Sequence, residues 1–330
     1  MKKSLLSLAI LIVGIGIGMA VDHTLVKQQV ADQDPSSNDA HQVRQGGYSL
    51  INPLLECEVG SEVLTKQFVS FKYKIENEVN KLKASGDASD MSVYFRDLNN
   101  GVGFGVNQNE GFTPASLLKV PVMMAYYKQS ESEPTIMQKK LKYDGGQDRN
   151  EGETVKPTSP MKPNQQYTVE DLIYRMIVFS DNNAMALLVE NLPLPIQDKV
   201  YKDLGISIPG VRGTEDYMSV TDNASFFRIL YNASYLTKDN SQKALDLLSK
   251  VDFTDGIRAG VPSSVKVANK FGEREVGNII QLHDCGIVYF KDHPYLLCIM
   301  SRGTDFTKLA ASIKNISRLV YLEVNKQVRL

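Results

Sequence analysis

Three serines in this chain stand three residues before a lysine: Ser116 with Lys119, Ser159 with Lys162, and Ser263 with Lys266. The pairing matters because a serine hydroxyl attacks a carbonyl at neutral pH only when a base takes its proton. A lysine kept neutral by burial or by cationic neighbours can be that base. Chance alone gives the spacing about once in a chain this long, so context must separate the three. Ser159 precedes Pro160 in a Pro-rich stretch. Ser263 enters a strand-like run, where positions i and i+3 face opposite ways. Ser116 follows Thr113-Pro114-Ala115, which reads as an N-cap, a proline at the first helical position and the first turn, with the apolar run Leu117 to Tyr127 behind it. On a helix, i and i+3 share a face, so the Lys119 amine is expected to reach the Ser116 hydroxyl. A helix N-terminus also favours negative charge developing nearby.

Two further polar groups follow. Ser180-Asp181-Asn182 ends one apolar helical run and starts another, Ala184 to Glu190. N-capping accounts for it structurally, yet a given tripeptide of this kind arises by chance in only about one of twenty such chains. Lys270-Phe271-Gly272 closes a strand-like run.

In this order and context the three groups resemble the Ser-x-x-Lys, Ser-Asp-Asn and Lys-Thr-Gly set of the class A β-lactamases and penicillin-binding proteins. TVEDLIYRMIVFSDNNAMALL is similar to that family's helix leading into Ser-Asp-Asn, and LLCIMSRGTD to its last strand and closing helix. The resemblance spans about Glu62 to Val324. It implies that Ser116 is the acylated nucleophile, Lys119 its proton acceptor, and Ser180 the relay to the leaving nitrogen. Asn182 would hold the substrate's acylamide, and Lys270 with Gly272 would form the carboxylate-binding edge. The N–H groups of Ser116 and Glu273 would face the oxyanion. Two departures stand out. Phe271 replaces the family's hydroxyl residue, which sets a bulky ring where a cleft is expected. In GISIPGVRGTEDYMSVTDNASFF, Glu215 has about the register of the family's deacylating glutamate, but Ser219 stands where an asparagine belongs, and the segment is shorter.

The function implied is an active-site serine hydrolase that opens the β-lactam amide through an acyl-enzyme on Ser116. The alternatives are a peptidoglycan DD-peptidase or amidase using the same site, and a module that binds penicillin or cell-wall peptide without turnover. The substrate is accordingly a β-lactam or a peptidoglycan peptide. Neither cofactor nor metal is implied, and a monomer is expected.

The elements that must position these residues are legible in outline. Apolar residues at helical spacing run from Val63 to Leu82, with Gly86 beyond. Met91 to Leu98 alternates, Asn99-Asn100-Gly101 turns, and Val102 to Val106 returns. Residues 116–255 read as mainly helical, with a capping-box start at Thr168. Strand-like runs follow at Ser264–Phe271, Ile279–Tyr289 and Tyr295–Ser301, and a helix closes the chain over Asp305–Val324. The expected fold is α+β and two-lobed: an antiparallel sheet of about five strands built from both ends of the chain (about 56–115 and 256–330), flanked by helices, with a helical lobe (about 116–255) inserted.

Met1-Lys2-Lys3 before the apolar run Leu5–Val21 reads as an export signal or a membrane anchor over residues 1–21, and the polar stretch 22–55 as a tether. The expected location is therefore outside the cytoplasm, either membrane-anchored or released after cleavage. A net charge of −1 gives no field for nucleic acid. The three cysteines, an odd count, do not make a disulfide framework, and their spacing is wrong for zinc. Counting outward from a Lys291-Asp292 turn sets Cys285 opposite Cys298. Two small apolar residues filling a sheet face is the preferred reading there, and a bridge the alternative.

Overall fold

The computed structural model describes residues 42–57, 66–206 and 215–327. The apolar segment 1–21, and the tether as far as residue 41, lie outside the described residues. Helix α1 (Lys66–Ala84) precedes β3 (Asp90–Asp97) and β4 (Gly103–Val106). A helical block follows, made of α2 (Lys119–Ser130), α3 (Val169–Val178), α4 (Asn182–Asn191), α5 (Leu194–Asp203), α6 (Val220–Asn232) and α7 (Lys238–Leu248). Strands β7 (Lys266–Val276), β8 (Ile279–Tyr289) and β9 (Tyr295–Gly303) then lead into α8 (Phe306–Gln327). The sheet is antiparallel in the order β4-β3-β9-β8-β7, so strands from both ends of the chain interleave around the helical insertion. This is the α+β arrangement expected.

The sheet stands on an aromatic cluster. Phe71 of α1 meets Phe95 and Phe104 edge-on with centroids 4.9 and 5.0 Å apart, and Phe95 meets Tyr295 at 5.7 Å. Edge-to-face geometry sets the positive ring rim against the negative ring face and adds to the burial of these large side chains. Ser92, three residues from Phe95, faces the other side, where Asn223 of α6 reaches Met300 on β9.

Several elements depart from expectation. Residues 42–57 are not tether: β1 (Gln42–Arg44) pairs with β2 (Leu54–Cys57), Arg44 donates to Asn232 Oδ1, and Leu50 and Ile51 are buried. Polar composition there hid a short hairpin anchored by two apolar residues. Inside the helical block, β5 (Lys140–Tyr143) pairs with β6 (Gln165–Thr168). Strand β7 does not end at Phe271 but continues to Val276, because Gly272–Val276 pair with β8. Charged residues on an edge strand break the apolar pattern without breaking the ladder. Cys285 and Cys298 are directly opposite in the β8–β9 register and form a disulfide, so the preferred reading of two unlinked residues is corrected. No helix among the described residues is long and apolar enough to cross a membrane.

Candidate functional site

Ser116 does not sit in the first turn of an α-helix capped by Thr113. It lies in a 3-10 turn, Ala115–Leu118, and α2 begins at Lys119. Ala115 holds φ 50°, which re-aims the chain just ahead of Ser116. Thr113 is used elsewhere: its Oγ1 donates to Asp216 Oδ1 (2.8 Å), with the Glu215 carbonyl a second acceptor within reach (3.0 Å). Behind the turn, fully buried His283 accepts the Ser301 N–H at Nδ1, so Nε2 carries the proton and donates to the Thr113 carbonyl (2.8 Å). Burial pushes its pKa down to about 4, which keeps the ring neutral. Gly272 of β7 presses on the same turn. A Cβ there would come within 2.8 Å of the Pro114 carbonyl and 3.1 Å of the Ser116 nitrogen. Only glycine lets the strand approach this closely, and that approach brings Glu273 to the rim.

Lys119 and Lys270 are both fully buried and converge on one hydroxyl. Lys119 Nζ is 3.0 Å from Ser180 Oγ, 2.6 Å from the Ser180 carbonyl and 2.6 Å from Asn182 Oδ1. Lys270 Nζ is 3.0 Å from the same Ser180 Oγ and 2.9 Å from the Phe271 carbonyl. A hydroxyl accepts twice and donates once, so Ser180 takes both lysines and keeps its own proton to give. Burial brings Lys119 down to about 7, against the pull of Glu153, Asp181 and Glu273. Burial, then the charge of Lys119, holds Lys270 well below its ordinary range. Among the described residues Lys119 makes no hydrogen bond to Ser116; its partners are Ser180 and Asn182.

The Ser-Asp-Asn segment does both of its jobs. Asp181 caps α4 by accepting the Asn183 and Ala184 N–H groups. Ser180, at φ 55°, is thereby turned toward the lysines. Ser116, Asn182, Glu273 and Arg274 line one open cleft of about 440 Å³, together with Gly152 and Glu153. A larger polar hollow of about 570 Å³ beside Lys72, Asp90 and Glu110 contains none of these groups.

Three positions differ from the sequence picture. The Phe271 ring does not line the cleft. It is 2% exposed and stacks on Phe253 at 4.3 Å. Glu215 is largely exposed and ion-paired to Arg274 at 3.0 Å, and it is not among the cleft-lining residues. Ser219 is the N-cap of α6, in a reciprocal capping box with Asp222.

Sequence reasoning missed the loop 144–164 altogether. Asn150 accepts the Asn182 N–H at 2.8 Å and donates to Asp181 at 3.1 Å, while Asp148 accepts from Asn183 at 2.8 Å. Glu153 Oε1 accepts from Asn182 Nδ2 at 2.7 Å, and Glu273 Oε1 accepts the Val155 N–H at 2.8 Å. The one available signal was length. An irregular stretch this long inside a compact fold is usually there for function.

Solved structures share the fold at low identity. A mutant of PBP-A, solved as an acyl-enzyme complex with penicillin G, matches with a TM-score of 0.63, 21% identity, and coverage of 78% of this chain and 97% of that one. A β-lactamase from Sphaerobacter thermophilus matches with a TM-score of 0.64 and 19% identity over 76% of this chain and 96% of that one. One from Xanthomonas campestris gives 0.65 and 18%, over 77% and 98%. No curated protein matches. The family model described as the beta-lactamase enzyme family covers residues 74–324, and the chain belongs to that family.

Proposed function

We propose that this serine β-lactamase-like hydrolase works through an acyl-enzyme on Ser116. The observation that carries the reading is the single Ser180 hydroxyl held by two buried lysines beside the cleft that Ser116 lines. With a pKa brought to about 7, a substantial fraction of Lys119 is neutral at neutral pH and able to accept the Ser116 proton. The Ser116 Oγ–carbonyl bond forms to give a tetrahedral oxyanion, whose collapse breaks the amide C–N bond. The leaving nitrogen takes the Ser180 proton, and Ser180 is reprotonated from the lysine side. The oxyanion sits between the N–H groups of Ser116 and Glu273, and the close approach of Gly272 to the Ser116 nitrogen supports that placement. No step calls for a metal or cofactor.

One observation favours slow turnover. Glu215 is exposed and engaged with Arg274, which suits a deacylating base poorly. A long-lived adduct would move the chain toward the peptidase or binding readings. An extracytoplasmic location, anchored or released, belongs to the same proposal, and the Cys285–Cys298 bridge supports it because such bonds persist in oxidising compartments.

The test is incubation of the soluble domain with a chromogenic cephalosporin, following absorbance and intact mass together. An adduct on Ser116 is expected, with slow colour development. No adduct, or an adduct that survives in Ser116→Ala, overturns the proposal.

A further inference from the structure

The cleft holds a pair of acids that the acylation chemistry does not use. Glu153 comes from the loop 144–164, and Glu273 from β7 on the facing wall. Glu273 is tied to that loop two residues from Glu153, through the Val155 N–H, and both side chains line the cleft. Each also has one fixed partner, Asn182 Nδ2 for Glu153 and the Val155 N–H for Glu273. Glu273 is 8% exposed, and its Oε2 is buried with no protein donor. A buried carboxylate oxygen without a donor is costly, and an incoming donor, above all a cationic one, relieves it. The charged groups around the pair do not serve. Lys119 is committed to Ser180 and Asn182, Arg274 to Glu215, and Asp181 and Glu275 add negative charge. Lys270, expected to hold a carboxylate, is buried against Ser180, and Phe271 offers no hydroxyl.

We propose that Glu153 and Glu273 form an ammonium-binding subsite, so that this chain prefers acyl donors carrying a primary ammonium group next to the amide that Asn182 would hold. The inference rests on the acylation reading for the placement of that amide. Asn182 Nδ2 donates to Glu153 Oε1 at 2.7 Å and to the Arg149 carbonyl at 3.2 Å, so a substrate amide that takes over the longer of these bonds arrives beside Glu153, and a substituent one bond away faces the pair.

Three penicillins differing only at the side-chain α-carbon (unsubstituted benzyl, α-amino and α-carboxy) isolate that charge, since all share the ring carboxylate. Their affinities for the Ser116→Ala variant, measured by calorimetry at roughly pH 7, where the α-amino group is still mostly protonated, report the subsite without acylation. The α-amino compound is expected to bind about fivefold or more tighter than the unsubstituted one, and the α-carboxy compound more weakly. Glu153→Gln or Glu273→Gln in that background should compress the series to within about twofold. Equal affinities, a series unchanged in both variants, or no binding of the α-amino compound at about 10 mM overturns the proposal. Labelling of the parent on Ser116 is scored separately. An ammonium preference without labelling sinks the acylation reading alone, and labelling without the preference sinks the subsite alone.

Discussion

Glu215 and Glu273 carry the same functional group on either side of Arg274, in opposite surroundings. The Glu215 side chain is 68% exposed and its Oε1 lies 3.0 Å from Arg274 Nη2. Glu273, one residue from that arginine, is 8% exposed and pushed up to about 7, first by burial and then, against the lowering pull of the Val155 N–H, by the Glu153 carboxyl. Water screens the first pair, so it behaves as an ordinary surface ion pair contributing a few tenths of a kcal/mol. The second sits where desolvation decides protonation. Position along the chain pointed to Glu215 as the acid with chemistry to do. Burial points to Glu273. Register from a motif carries no information about solvent.

Substitutions at Ser116 and Lys119 should have the greatest consequence. Ser116→Ala should abolish labelling by a β-lactam or a fluorophosphonate probe, and Lys119→Ala should slow acylation by about a thousandfold or more. In the parent, acylation should rise with pH through about 7 as Lys119 becomes neutral. Labelling at Ser159 or Ser263, or a flat pH profile, would remove the lysine-activated Ser116 from the mechanism.

The next effect is on stability and lies in the sheet. Replacing Cys285 and Cys298 by alanine should cost about 2–4 kcal/mol in denaturant unfolding. Thiol counting on denatured, unreduced protein should find one free thiol of three. Three would rule out the bridge.

A smaller effect sharpens the buried side of the comparison. Glu273 has a folded pKa of about 7, raised from an ordinary 4.5, so the fold loses stability as pH rises from about 4.5 through 7. Lys119 is lowered from 10.5 to about 7, so the fold loses stability as pH falls from about 10.5 through 7. The two losses meet near neutrality. Glu273→Gln should raise Tm most at and above pH 7 and flatten the acid-side slope, and Lys119→Met should flatten the alkaline side. Slopes unchanged in both variants would show that neither group is buried as described.

The smallest effect belongs to the exposed side. Glu215→Gln should change stability by less than about 0.5 kcal/mol, and acylation and the lifetime of the Ser116 adduct by less than about twofold. A clearly longer lifetime would return Glu215 to deacylation in spite of its exposure.

The motif groups at Ser116, Ser180 and Lys270 were readable because each combines a residue type with a local element. Asp181 caps α4 and Gly272 clears the nucleophile turn, and both constraints act within a few residues of the chemistry. The order of strands and helices was readable from period, since alternation over Met91–Leu98 and helical spacing over Val63–Leu82 are local patterns. The extra length of β7 was not, because its last residues are charged and held by β8 alone.

Local pattern in the chain was enough to show which of three Ser-x-x-Lys pairs leads into an apolar helix, which sheet elements come from the two ends of the chain, and which cysteines oppose each other across a hairpin. Tertiary structure alone decided the surroundings of each group. It set two lysines on one hydroxyl from segments far apart in sequence, drew Glu153 from a long loop onto Asn182 and beside Glu273, and left Glu215 in water. The physical reason is that spacing is a property of neighbours along the chain. Desolvation and charge proximity depend on which distant segments the fold packs together, and those two quantities set the proton affinities on which the chemistry runs.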